Sequence, residues 1–184
     1  MSQPKFKRVV IVGLGLLGGS VALALRKRRM AKHIVALGRS LATLRAPKRA
    51  GLVDEISVDP RCAQGADLIV LASPFTQFER QLKALSHAAP PGCLCTDVGS
   101  VKGDAVSRWH WAAEPMDFVA SHPMAGGERR GWQQARADLF EGAACLLTPL
   151  PITRRGAVVR VGRFWEALGM NVALTTPEDH DRIV

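Results

Sequence analysis

Residues 8–20 read RVVIVGLGLLGGS. Four β-branched residues in succession, Val9 to Val12, suit a buried strand. Apolar residues at helical spacing begin at Leu16 and run to a basic end at Arg26–Arg29. Between strand and helix lies Gly13-x-Gly15-x-x-Gly18. Gly13 permits a tight turn, Gly15 lets backbone approach a pyrophosphate, and Gly18 lets the helix pack close to the strand. The unpaired N–H groups at the helix start then face the anion. In this strand–turn–helix setting near the N-terminus, the pattern predicts a dinucleotide site built from Gly13, Leu14, Gly15, Leu16, Leu17 and Gly18.

An NAD site usually carries Asp or Glu about 20 residues further on, to accept from the ribose 2′-hydroxyl. Here the second strand ends in Gly38, Arg39 and Ser40. No carboxylate stands there to repel a 2′-phosphate, and a guanidinium and a hydroxyl suit one. The expected cofactor is therefore NADP in preference to NAD, with Arg39 and Ser40 in its site. The alternative is an Arg39 that stacks on adenine and admits either cofactor.

Beyond the opening unit, strands and helices alternate. HIVALG, DEISV, ADLIVLAS, GCLCTDVG, DFVASHP, GAACLLTP and NVALTT read as strands. Helices are expected in SLATLRAPKRAGL, broken by Pro47 and ended by Gly51, over 76–88, over 101–113, briefly around 132–138, and in RRGAVVRVGRFWEALG. PEDHDRIV places Pro177 at a first helical turn with acids after it. The pattern predicts an α/β fold, a Rossmann-like, doubly wound, mostly parallel sheet with helices on both faces. Residues 1–176 form the dinucleotide-binding domain on this reading, and 177–184 open a further one.

The chain has 184 residues and is 47% hydrophobic, enough for a sizeable core and against disorder. Lys and Arg number 25 against 16 Asp and Glu, a formal charge of +9. The arginines are scattered, tyrosine is absent, and the Trp and Phe residues do not alternate with the charges as base-stacking platforms would. The balance points to a small anionic ligand rather than nucleic acid. Cys62, Cys93, Cys95 and Cys145 contain no C-x-x-C pair and read as reduced thiols, with no metal site expected. The uncharged run Val9–Leu25 falls short of the ~20 residues of a membrane span and is interrupted by glycines. A cytoplasmic protein without membrane partners is expected.

Ligands of an open parallel sheet bind beyond the carboxyl ends of its strands. Three stretches bring polar groups there. LASPF supplies Ser73 and Pro74, TDVGSVKG supplies Asp97, Gly99, Ser100 and Lys102, and ASHPMAGGE supplies Ser121, His122 and Glu128. Ser73, Pro74, Asp97 and Gly99 are candidates for the cofactor site. Asp97 reads first as a strand-end cap and Lys102 as a helix-face charge. Pro123 holds His122 in extended backbone, which aims its ring from a stiff local chain. A lone histidine near a strand end is more often structural; its place beside a cofactor cleft favours proton transfer.

VGLGLLGGS, TDVGSVKG, SHPMAGGERRGW, DLFEGAACLLTP and TPEDHDRIV occur in this order across nearly the whole chain. On these residues the sequence resembles the prephenate and arogenate dehydrogenases of tyrosine biosynthesis. The resemblance implies an NAD(P) fold followed by a helical domain that forms a homodimer and closes the substrate site. It implies oxidative decarboxylation of a cyclohexadienol: hydride passes to the nicotinamide, the C4 hydroxyl loses its proton, and the ring carboxylate leaves as CO2. It implies His122 as the hydroxyl's proton acceptor and Ser100 as its partner, bonding the substrate hydroxyl or fixing the histidine tautomer. Glu128 matches an acidic position that gates the site or senses substrate. Arg129 and Arg130 either attract a dicarboxylate or merely solvate a turn, and His180 and Asp181 either pack and cap or take part in the chemistry. The family's second domain supplies further substrate groups, so a chain ending at Val184 is expected to be a fragment that binds cofactor and turns over poorly. The competing readings are another Rossmann reductase of the β-hydroxyacid or imine type, and a non-catalytic NAD(P)-binding module.

Overall fold

The computed structural model describes residues 5–127 and 130–184. Six strands form a parallel sheet: β1 (Phe6–Val12), β2 (Ala31–Leu37), β3 (Glu55–Ser57), β4 (Leu68–Leu71), β5 (Leu94–Asp97) and β6 (Asp117–Val119). Their order is β3-β2-β1-β4-β5-β6, with every pairing parallel. This is the doubly wound, Rossmann-like order, and it reverses direction between β1 and β4. Val9 to Val12 of the central strand are almost wholly buried, as a strand covered on both faces must be.

The helices are α1 (Leu16–Lys27), α2 (Leu41–Arg49), α3 (Phe78–Ser86), α4 (Ala105–Ala113), α5 (Arg155–Ala167) and α6 (Pro177–Ile183). Strand alternation sorts them into two cores. Val9 and Ile11 pack with Val21 and Leu25 of α1 and with Phe164 and Trp165 of α5. Val10 and Val12 face the other way, toward Phe78 and Leu82 of α3 and Trp109 of α4. Cys93 and Cys95 belong to this second core, and burial pushes the Cys93 thiol up to about 12. All four cysteines are free. Among the described residues no helix is long and apolar enough to cross a membrane.

Three expectations are corrected. DFVASHP is two strands, not one: β6 stays in the large sheet, while β7 (Ser121–Pro123) joins a second sheet with β8 (Ala144–Leu147) and β9 (Asn171–Leu174). The ladder to β5 stops at Val119 because the Asp97 side chain takes the Ser121 N–H, at 2.9 Å, and Thr148 N–H bonds the Ala120 carbonyl. Pro47 does not break α2; it lies near the helix end with its ring buried, and its carbonyl accepts from Leu52 N–H. Finally, α4 starts at Ala105 rather than 101, because the stretch before it is held as a turn by Lys102 and by Gly103 at φ +36°.

Candidate active site

At the carboxyl edge of the large sheet, where the strand order reverses, the chain leaves a cleft of about 910 Å³. Gly13, Leu14 and Gly15 form its floor, Arg39 and Ser40 one wall, and Ser73 and Pro74 the other. Gly13 has φ +95°, and a Cβ on it would lie 2.9 Å from the Ala72 carbonyl oxygen. A Cβ on Gly18 would lie 2.0 Å from the Gly13 carbonyl oxygen, so this glycine is what lets α1 seat against the turn. At Gly15 a Cβ would meet nothing within 4 Å. Gly15 is also the N-cap of α1, with no side-chain cap bond among the described residues and no acid in the first turn. Free N–H groups over open space fit an anionic pyrophosphate.

Leu16, Leu17 and Gly18 are in the first turn of α1 and do not line the cleft, and Leu17 packs on the core. Ser40 caps α2, accepting from Ala42 N–H at 3.2 Å, and its hydroxyl proton remains to be donated. Ser73 donates to Gln81 Oε1 at 2.6 Å. Thr43, Arg80 and Gln81 also line the cleft, although nothing in the sequence singled them out; α2 and α3 turn them back toward the strand ends that precede those helices.

Asp97 does not reach the cofactor cleft. It is wholly buried, and Lys102 Nζ donates to its Oδ2 at 2.7 Å. Gly99 N–H bonds the same oxygen, and Ser121 N–H takes Oδ1. Lys102 is not a helix-face charge either. It too is wholly buried, donates to the Gly99 carbonyl at 2.8 Å, and lies 5.7 Å from the Trp109 ring centroid. Buried charges persist where each is paired and hydrogen-bonded, as both are here. The pair ties the end of β5 to the turn before α4 and to the start of β7.

β7 is fastened from beneath as well. The Ser121 hydroxyl donates to the Asp97 carbonyl and accepts from Trp165 Nε1 at 3.0 Å. The next residue, His122, is half-buried, with its Nδ1 2.9 Å from His180 Nε2. His180 Nδ1 is in turn 2.7 Å from Asp181 Oδ1, which also accepts from Lys102 N–H at 3.2 Å. No described residue bonds His122 Nε2. Burial first, then the Lys102 charge, push the His122 imidazole down to about 4. The ring is therefore neutral at ordinary pH, with one nitrogen able to accept a proton.

Ser100 is exposed in the turn after β5, and the partner of His122 Nδ1 is His180 rather than Ser100. Glu128 and Arg129 lie outside the described residues, and Arg130 is exposed. His180 and Asp181 carried a visible signal, an HD pair behind a proline-started helix. Nothing local in the sequence said that they meet His122.

Comparison with known proteins agrees with this fold. The family model "Prephenate dehydrogenase, nucleotide-binding domain" matches residues 21–174. A prephenate dehydrogenase of Bacillus subtilis is 32% identical over 100% of this chain and 50% of its own length. The crystal structure of A. aeolicus prephenate dehydrogenase, in complex with hydroxyphenyl propionate and NAD+, superimposes with TM-score 0.91 at 30% identity, covering 100% of this chain and 63% of that one. The Synechocystis arogenate dehydrogenase gives TM-score 0.88 at 32% identity, over 96% and 62%. The chain thus spans between half and two thirds of the length of these relatives. By the family match and by the fold, it belongs to the prephenate dehydrogenase nucleotide-binding domain family.

Proposed function

We propose that the chain is the dinucleotide-binding and proton-accepting part of an NAD(P)-dependent dehydrogenase that oxidatively decarboxylates prephenate or arogenate. The observation that carries this reading is His122, held neutral and with Nε2 unpartnered among the described residues, on a strand fastened to the carboxyl end of β5. A bound nicotinamide supplies the acceptor for the hydride leaving C4 of the ring. The cleft residues Gly13, Gly15, Ser73 and Pro74 hold and orient the dinucleotide. His122 Nε2 accepts the C4 hydroxyl proton, and Ser100, exposed on the neighbouring turn, bonds that hydroxyl. Loss of CO2 leaves an aromatic ring, so the protein needs alignment and a proton acceptor more than a strong base. Glu128 is assigned the control of access to the site.

The reading is tested by prephenate-dependent reduction of the cofactor, in this chain and in one extended to the length of its relatives. His122→Asn is expected to lower kcat in the active form by about 10²- to 10⁴-fold with cofactor Kd unchanged. Full turnover by His122→Asn would remove the proposal.

NADP is the proposed cofactor of choice, because Arg39 and Ser40 follow the end of β2 and, among the described residues, no acid accompanies them in the cleft wall. Arg39→Ala is expected to cut the NADP-over-NAD affinity ratio by about 10- to 100-fold, the worth of a charge-assisted hydrogen bond. An unchanged ratio would assign Arg39 to the surface.

A further inference from the structure

We propose that His180 and Asp181 are positioning residues that hold His122 as its Nδ1–H tautomer and thereby reserve Nε2 for accepting a proton. Its meaning for catalysis rests on the dehydrogenase reading above; the tautomer itself does not. Asp181 Oδ1 lies 2.7 Å from His180 Nδ1, and only an N–H can face a carboxylate at that distance. His180 Nε2 then faces His122 Nδ1 at 2.9 Å, with room for one proton between two nitrogens. With His180 neutral, its Nε2 offers a lone pair, the shared proton belongs to His122 Nδ1, and His122 Nε2 is bare. A charged His180 would reverse this bond and place the remaining His122 proton on Nε2, which abolishes the acceptor. His180 is wholly buried, where a neutral ring costs less than a charged one, and the Asp181 side chain beside it is partly exposed.

Two further features serve the same end. Asp181 is steadied by the Lys102 N–H, from the turn that also carries the buried ion pair. Gly103 leaves room for the carboxylate, since a Cβ there would stand 2.8 Å from Asp181 Oδ2. Three segments far apart in sequence, β7, the turn before α4, and α6, converge on one imidazole. In other histidine-centred sites the orientation of the reacting nitrogen is likewise set by what the other nitrogen bonds.

Nitrogen-15 NMR of this chain, labelled at histidine, reads which ring nitrogen carries the proton and needs no turnover. Wild type is expected to show His122 almost wholly as Nδ1–H. Asp181→Ala, which leaves His180 unanchored, and His180→Phe, which removes the acceptor, are each expected to lower the Nδ1–H fraction by about twofold or more. Should the buried Phe substitution prevent folding, the partly exposed Asp181→Ala decides. A wild-type His122 protonated at Nε2, or an undiminished Nδ1–H fraction in every folded variant, overturns the proposal. Turnover surviving in His122→Asn would sink the dehydrogenase reading and leave this assignment standing, so the two failures are separable.

Discussion

His122 is set apart from the other described histidines by what surrounds it. Its ring is half-buried, a buried ammonium lies nearby, and a second imidazole touches it. Burial and the ammonium oppose a positive charge on the ring, burial most of all. A pH titration followed by the ring proton shifts is expected to place its midpoint near 4, against 6.5 for an ordinary histidine. Because the folded value is depressed, the unfolded chain binds more protons between those two values. Conformational stability contributed by this residue is therefore full above about 6.5 and declines as pH falls toward 4. Urea denaturation of wild type and His122→Asn across that window checks the sign: the variant is expected to lose less stability on acidification. A midpoint near 6.5 would mean that the ring is more solvated than its surroundings imply. At this scale the histidine was legible, since Ser-His-Pro after a strand is a local signal. Its partnership with His180, 58 residues on, and the burial of Lys102 were not, because both are made by packing.

Among elements, the turn from β1 into α1 rests on glycines with different tasks, and substitution separates them. In Gly18→Ala the new methyl meets backbone at 2.0 Å, which no rotamer relieves. A loss of at least about 3 kcal/mol in stability is expected, together with loss of cofactor binding. In Gly15→Ala the methyl enters open cleft, so stability is expected to stay within about 0.5 kcal/mol while dinucleotide Kd rises about 10-fold or more. Thermal melts and cofactor titration of both variants test the contrast. This unit was readable because strand, turn and helix are contiguous and each follows from nearest neighbours. The break at Ala120 was not readable. DFVASHP has the apolar run of a single strand, and what ends the pairing is the carboxylate of Asp97, on another strand. Pro47 misled for a similar reason: its ring is buried near the end of α2, and composition does not report burial.

Across the whole molecule, the Asp97–Lys102 pair joins the two sheets. It is fully buried, so removing one partner strands the other charge away from water. Lys102→Met is expected to cost about 3–5 kcal/mol in urea denaturation. Lys83→Met, which breaks an exposed pair with Glu79 on α3, is expected to cost under about 0.5 kcal/mol. Equal effects would mean that water reaches the buried pair. The switch between sheets at Ala120 bears on how such a domain tolerates change. A single residue separates the last strand of the large sheet from the strand bearing the imidazole, and that residue is almost fully enclosed. The offset between the two halves of the site is thus written into main chain and does not depend on side-chain rotamers. Outer helices can drift in sequence without disturbing that offset, whereas one inserted residue at the joint would throw the proton acceptor out of line.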